Sequence, residues 1–327
     1  MPNVLICPAP IRNRPGAYRD LLVAAGFTPI DVEGGATLTR EQISAALPAA
    51  DAMIAGGEPL TADMMDLAPN LRVIARTGVG YDAIDLAAAT ARKIAVTITP
   101  GTNQGSVAEQ TFALILALTR RITINDRAIR AGVWDRTMPL PLRGQTLGLV
   151  GLGRIGRAVA SRARAFEMRV VAYDPISDPA FDAQYGLLRV ELPELLAQAD
   201  IVSLHLPLTP ATRGLFNRET FARMKPGAIL INTGRGGLVV EHDLYESLVS
   251  GHLAGAGLDV TDPEPPRPDN PLISLPNVVI SPHIGGIDTR SMADMAELAA
   301  RCIVDLYQGR WPADCVVNGE LAEGWHW

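Results

Sequence analysis

Cysteine is scarce. The 327 residues contain three, Cys7, Cys302 and Cys315, at spacings that fit neither a disulfide frame nor a zinc site. They read as small apolar fillers in a reducing compartment, which points to the cytoplasm. Basic residues are not in excess: 29 Lys and Arg stand against 35 Asp and Glu, a net charge of −6. Neither a nucleic-acid nor an anionic-membrane surface is expected from that balance. No long apolar run occurs, and the most apolar helical candidate, Phe112 to Leu118, is too short to span a bilayer. The N-terminus has no basic start followed by an apolar stretch, so no secretory signal is expected. Internal repeats and low-complexity stretches are missing, and no His/Asp/Glu group has metal spacing, so no catalytic metal is expected.

What remains is an ordinary globular composition, 48% hydrophobic and 20% charged, in a chain long enough for two domains. Val4 to Ile6, Asp51 to Ala55, Leu71 to Ala75 and Ile94 to Ile98 read as four strands. Between them, Tyr18 to Ala25 and Asp85 to Arg92 read as helices, the latter capped by Asp85. Such alternation predicts βα units on a parallel sheet. A long helix is predicted from Ser106 to about Ala131, with Ser106 as N-cap and Glu109 closing a capping box.

A second α/β run follows. Gln145 to Val150, Arg169 to Tyr173, Ile201 to Leu204, Ala228 to Ile231, Gly255 to Leu258 and Val278 to Ile280 supply six strands, the number of a doubly wound dinucleotide-binding sheet. One more amphipathic helix, from about Thr289 to Gly309, comes after that sheet is complete. Packed on the N-terminal domain, it would make that domain discontinuous. The expected division is therefore 1–100 with 287–327, and 101–286. Thr99-Pro100-Gly101 and Ile284-Gly285-Gly286 are the expected hinges.

The first strand of the second run enters Gly151-Leu152-Gly153-Arg154-Ile155-Gly156 and leaves into a helical stretch. In that context G-x-G-x-x-G is a dinucleotide loop. The first glycine permits the turn, the second admits a pyrophosphate, and the third brings helix and strand together. Asp174 ends the next strand, 18 residues past Gly156. A carboxylate there can accept both ribose hydroxyls of NAD and would repel the 2′-phosphate of NADP. Three ionisable residues then follow successive strands: Arg235, Glu264 and His283. A guanidinium can hold a carboxylate bidentately, and a His paired with a carboxylate makes a proton donor. Taken singly, each has an ordinary explanation as a surface Arg, a loop Glu or a hydrogen-bonded strand-end His. Their joint placement argues otherwise. For His205, also at a strand end, a structural role fits as well as a cofactor-facing one. His242 and His252 read as solvated helix residues, and His326 lies in the tail.

The chain resembles the D-isomer-specific 2-hydroxyacid dehydrogenases. The resemblance lies in Arg76 to Asp82, Asn103 to Glu109, Gly151 to Gly156, Met224 to Gly227, Asn232 to Gly236, Gly257 to Val260 and Ser281 to Gly286, in the family's order. It implies a flavodoxin-like, discontinuous substrate domain beside an NAD-binding Rossmann domain. It also implies that Arg235 binds the substrate carboxylate and carbonyl, that His283 is the acid/base, and that Glu264 holds its ring and stabilises the imidazolium. Arg154, Ile155, Pro207 and Thr212 join the cofactor contacts, and Asp259 with the backbone near Thr233, Gly285 and Gly286 positions the nicotinamide. Backbone N–H groups of Gly78 and Val79 cradle the substrate carboxylate, with Arg76 nearby. The resemblance places the active site in a cleft that closes to exclude water, and family members are commonly homodimers.

The substrate implied is a small 2-hydroxy or 2-oxo acid. In phosphoglycerate dehydrogenases an Arg usually follows the strand that here ends Ile54-Ala55-Gly56-Gly57-Glu58. Ala55 holds that position, and Glu58 would oppose a phosphate. With no regulatory domain expected beyond the last helix, glyoxylate or hydroxypyruvate is favoured over 3-phosphoglycerate. Formate dehydrogenases share the scaffold but carry Gln in place of Glu264. NAD-sensing corepressors keep the same three residues, but no long partner-docking extension is expected here.

Overall fold

The computed structural model describes residues 1–176 and 178–327. They form two compact units, Met1–Asn103 with Gly286–Trp327, and Gln104–Gly285. The first unit carries β1 (Asn3–Ile6), β2 (Thr28–Asp31), β3 (Ala52–Ala55), β4 (Val73–Arg76) and β5 (Ala95–Thr97), all parallel, in the order β2-β1-β3-β4-β5. This is the flavodoxin-like order. Alternate residues of each strand enter opposite layers, as a parallel sheet covered on both faces requires. Leu5, Met53, Ile74 and Val96 pack with Ile43, Leu47 and Met64. Val4, Ile6, Ile54, Val73 and Ala75 pack with Met292, Met295, Ala299 and Ile303 of the helix Thr289–Tyr307. The last helix thus belongs to the first sheet, and Asp288 caps it through the N–H groups of Arg290 and Ser291.

The strand β2 is absent from the sequence expectation. It lies at the sheet edge, no residue of it is fully buried, and Pro29 brings no N–H. Edge strands tolerate such composition, and it erases the apolar signal. The expected cap does form at Asp85, whose side chain accepts the Ala88 N–H.

In the second unit β6 (Thr146–Val150), β7 (Arg169–Tyr173), β8 (Leu188–Arg189), β9 (Ile201–Leu204), β10 (Ala228–Asn232), β11 (Leu253–Leu258) and β12 (Val278–Ile280) run parallel in the order β12-β11-β10-β9-β6-β7-β8. Strand order reverses between β6 and β9, the switch point where open α/β sheets take ligands. The six expected strands are present, and the two-residue β8 adds an edge.

The long helix needs two corrections. It begins at Gln104, so Ser106 lies inside its first turn and is buried. No capping box forms with Glu109, which reaches Arg162 at 3.6 Å instead. The helix also stops at Thr119. Arg121 takes a left-handed conformation (φ 55°) before a second helix, Ile122–Arg130. Neither Gly nor Pro marks this break. What changes is packing: the first helix buries Phe112, Leu114 and Ile115, whereas the second has no buried residue. Among the described residues no helix is long and apolar enough to cross a membrane.

Candidate functional site

Gly151 follows β6; its φ of 100° suits glycine, and its missing Cβ leaves room for the His205 carbonyl, 2.7 Å from where that atom would stand. A Cβ on Gly156 would lie 2.2 Å from the Gly151 oxygen, so the helix Arg154–Ala165 can start this close to the strand only with glycine there. Gly153 is different: its Cβ position has nothing within 4 Å. Uncovered main chain thus sits at the N-terminus of a 12-residue helix, beside N–H groups without intrahelical acceptors. A pyrophosphate fits these features. Arg154 is exposed at the helix start and Ile155 half-buried.

Asp174 follows β7, with both carboxylate oxygens held by main chain. The Leu152 N–H donates to Oδ2 at 2.6 Å and the Ile176 N–H to Oδ1 at 2.8 Å. The Asp174 carboxylate is therefore fastened to the glycine loop itself. Beyond β9, Thr212 Oγ1 donates to the Pro207 carbonyl at 2.7 Å, closing a turn that brings these two residues together. Thr233 Oγ1 lies 3.1 Å from Thr111 Oγ1, and Thr111 donates to the Val107 carbonyl.

The three ionisable residues stand after adjacent strands. Arg235 follows β10, half-buried, with Nη1 donating to the Gly234 carbonyl at 2.7 Å. Asn232 clasps this turn: its Nδ2 donates to the Arg235 carbonyl and its Oδ1 accepts the Gly234 N–H. Glu264 follows β11, and Oε1 accepts the Thr261 N–H at 3.2 Å. A Cβ on Gly236 would lie 2.0 Å from the Thr261 carbonyl oxygen, so the Arg235 turn presses directly on the Glu264 loop. His283 follows β12, and its Nδ1 meets Glu264 Oε2 at 2.7 Å. That bond orients the ring and directs Nε2 to the other side.

His283 is in a left-handed conformation (φ 52°) that costs free energy unless the surroundings impose it. Asp259 imposes it. Its carbonyl accepts the His283 N–H, and its carboxylate accepts from Ser281 Oγ (2.6 Å) and from the N–H groups of Ile284 and Gly285. Gln110 Nε2 donates to Ser281 in turn. Gly285 is required here, since a Cβ would stand 2.7 Å from Asp259 Oδ2. Gly286 begins the return into the first unit. His205 pairs its Nε2 with Ser203 Oγ at 2.9 Å, and its Nδ1 is buried without a partner. Burial pushes its pKa down to about 3, so the ring is neutral at physiological pH.

In the first unit, Arg76 ends β4 and is 8% exposed, with its side chain beneath Gly78. The Gly78 N–H donates to Thr99 Oγ1 at 2.9 Å, while among the described residues nothing accepts the Val79 N–H. Of the two expected amides, Val79's is the one left to an outside acceptor. Glu58 is half-buried and folds back on the Gly56 N–H at 2.6 Å, beyond β3 and Ala55.

No side-chain role in the site was expected for Asn232, Ser281, Gln110, Thr111 or Thr99, the last expected only as part of a hinge. Asn232 had a signal, a short polar side chain ending an apolar strand before Thr-Gly. The others act through contacts distant in sequence, which no local pattern marks.

Residues 112–285 match the family model described as D-isomer specific 2-hydroxyacid dehydrogenase, NAD binding domain. A D-3-phosphoglycerate dehydrogenase from Archaeoglobus fulgidus is 41% identical over 86% of this chain and 54% of its own length. A glyoxylate reductase from Korarchaeum cryptofilum is 42% identical over 81% of this chain and 82% of its own. The chain thus spans about half the phosphoglycerate dehydrogenase but most of the glyoxylate reductase. Among solved structures, the TT0316 protein from Thermus thermophilus aligns with a TM-score of 0.86 at 43% identity, covering 96% of this chain and 99% of that one.

Proposed function

The chain belongs to the D-isomer specific 2-hydroxyacid dehydrogenase family, whose second unit is an NAD-binding domain, and from that premise we propose that it interconverts a small unphosphorylated 2-oxo acid and its D-2-hydroxy acid. Glyoxylate and hydroxypyruvate are the favoured substrates. The observation that carries this reading is the 2.7 Å contact between His283 Nδ1 and Glu264 Oε2, which leaves Nε2 as the proton-transferring atom.

Bound NAD(H) supplies the hydride acceptor or donor. The glycine loop would hold its pyrophosphate, Asp174 its ribose, and Pro207, Thr212 and Thr233 would line the rest of its path. In reduction, His283 Nε2 delivers a proton to the carbonyl oxygen, and Glu264 stabilises the imidazolium before transfer. Arg235 binds the carboxylate and polarises the carbonyl. Within the first unit, the Val79 N–H, which no described residue accepts, is suited to a carboxylate, with Arg76 nearby. Glu58 and Ala55 support the choice against phosphorylated acids, because a carboxylate fixed at that strand end repels a phosphate.

The test is NADH oxidation with a panel containing glyoxylate, hydroxypyruvate and 3-phosphohydroxypyruvate. The first two are expected to turn over faster. His283→Ala is expected to lower kcat by about 10²- to 10⁴-fold, the range of general acid–base assistance. Arg235→Ala should cost at least about tenfold in kcat/KM, the scale of one charge-assisted hydrogen bond. Efficient turnover of only the phosphorylated acid would favour the phosphoglycerate reading. No turnover of any 2-oxo acid despite NADH binding would favour a nucleotide sensor.

The assembly is read as a homodimer. Ile122, Ile129, Val133, Trp134, Met138 and Leu140 are all exposed on the helix Ile122–Arg130 and the segment after it, an apolar surface suited to a second copy of the chain. Light scattering of Trp134→Glu should then report a monomer. The thiols of Cys7, Cys302 and Cys315 are free and their pKa values are pushed up by burial, which suits a reducing cytoplasm.

A further inference from the structure

We infer that Arg189 sets the preference for NAD over NADP by fixing Asp174, a positioning role that rests on reading Asp174 as the ribose ligand. The carboxylate of Asp174 has no independent position. Its two oxygens accept the Leu152 and Ile176 N–H groups, so it stands wherever the backbone from 174 to 176 is held.

Among the described residues, the Arg189 side chain holds that backbone. Arg189 Nη1 donates to the Ile176 carbonyl at 2.5 Å and lies 3.4 Å from the Asp174 carbonyl. Arg189 projects from β8, where it pairs with Ala172 two residues before Asp174. Its Nε donates to Asp182 Oδ2 at 2.5 Å, with side-chain exposures of 19% and 16%. Such a shielded pair is not screened like a surface ion pair. The two-residue strand β8 thus does more than extend the sheet: it aims a guanidinium at the loop after β7.

A second arm reaches the same place from the glycine loop. Arg157 Nε donates to the Leu152 carbonyl at 3.1 Å, and its Nη1 pairs with Asp178. Its guanidinium also lies over the Phe181 ring. Asp178 is the N-cap of the helix Pro179–Tyr185, and Asp182 is one turn further along it. The Phe181 N–H, then Arg157, hold the Asp178 carboxyl below the usual carboxylate range, so it remains charged. The Leu152 peptide is therefore gripped from both sides, N–H by Asp174 and C=O by Arg157. One short helix braces both arginines.

A carboxylate held this way cannot turn aside to admit a 2′-phosphate, and it meets two ribose hydroxyls without further ordering. Without Arg189 the loop loses these charge-assisted bonds, and Asp174 is held chiefly through the Leu152 N–H and less firmly. NADH then binds more weakly and NADPH is repelled less.

Fluorescence titration of NADH and NADPH tests this without requiring turnover. Arg189→Met is expected to lower the ratio of the NADPH and NADH dissociation constants about tenfold, the scale of one charge-assisted hydrogen bond. Asp182→Ala, which leaves Arg189 unanchored, should lower it in the same direction and serves if Arg189→Met does not fold. Asp174→Ala should collapse the ratio, and adding Arg189→Met to it should change nothing more. A ratio unchanged in folded Arg189→Met or Asp182→Ala overturns the proposal while leaving the ribose role of Asp174 intact. So does a fall of equal size with and without Asp174, the mark of a merely structural arginine. A ratio unaffected by Asp174→Ala overturns the ribose reading and this proposal together.

Discussion

Asp259 shows how much a single buried side chain can arrange. It is 2% exposed and accepts three hydrogen bonds through its carboxylate, all from the segment that carries His283. Asn in its place offers one acceptor oxygen and turns an NH₂ toward donors. Asp259→Asn is expected to cost about 1–3 kcal/mol of stability, the penalty for an unsatisfied buried donor. It should also lower kcat, because the left-handed conformation of His283 is no longer enforced. Thermal denaturation and steady-state kinetics check the two effects separately. His205 makes a different prediction. Its pKa falls from the ordinary 6.5 to about 3 in the folded protein, so the unfolded chain binds the extra proton between those values. Its contribution to stability is complete above pH 6.5 and is lost as pH falls toward 3, at up to about 1.4 kcal/mol per pH unit. Denaturant titrations at about pH 7 and about pH 5, on either side of the ordinary histidine pKa, should show a smaller acid loss in His205→Asn than in the natural chain. Equal losses would mean that the ring is not held neutral.

At the scale of the element, the glycine loop depends on approach distances more than on flexibility. Gly156→Ala would place a methyl 2.2 Å from the Gly151 oxygen, and the rigid backbone on both sides leaves no room to yield. A loss of about 1–3 kcal/mol from overpacking is expected, with weakened NADH binding. Calorimetry and fluorescence titration would register both, and a normal melting temperature would refute the close packing of strand and helix. Gly153→Ala meets nothing within 4 Å, so it should leave the melting temperature nearly unchanged while obstructing the cofactor. The same scale shows where sequence patterns stop. Asp85 caps its helix as its position suggests, yet Ser106-x-x-Glu109 does not cap, because the helix has already begun at Gln104 and Ser106 lies within its first turn. A Ser-x-x-Glu spacing is compatible with a helix interior as well as with a helix start. The break at Arg121 and the edge strands β2 and β8 likewise carry no local mark.

At the scale of the molecule, each unit is a parallel sheet with both faces covered, and the first is completed only by residues from the end of the chain. Ile303 is fully buried against that sheet. Ile303→Ala is expected to cost about 2–5 kcal/mol through the cavity it leaves. NADH binding, a property of the second unit, should survive at temperatures where the protein remains folded. Loss of NADH binding at full retention of secondary structure would show that the two units are not independent in this respect.

Residue order alone was enough for the two α/β sheets, the glycine loop, Asp174, and the succession Arg235, Glu264, His283 along neighbouring strands. All of these are written in local periodicity, glycine spacing and residue type, which depend on a few adjacent positions. Which groups are pinned, and by what, was settled only by folding. Leu152 and Ile176 fasten Asp174, Asp259 bends the chain at His283, Thr99 takes the Gly78 N–H, and Arg189 reaches the Ile176 carbonyl from an edge strand with almost no sequence signal. Hydrogen bonds between residues far apart in the chain form only where folding brings donor within roughly 3 Å of acceptor, and no periodicity encodes that distance.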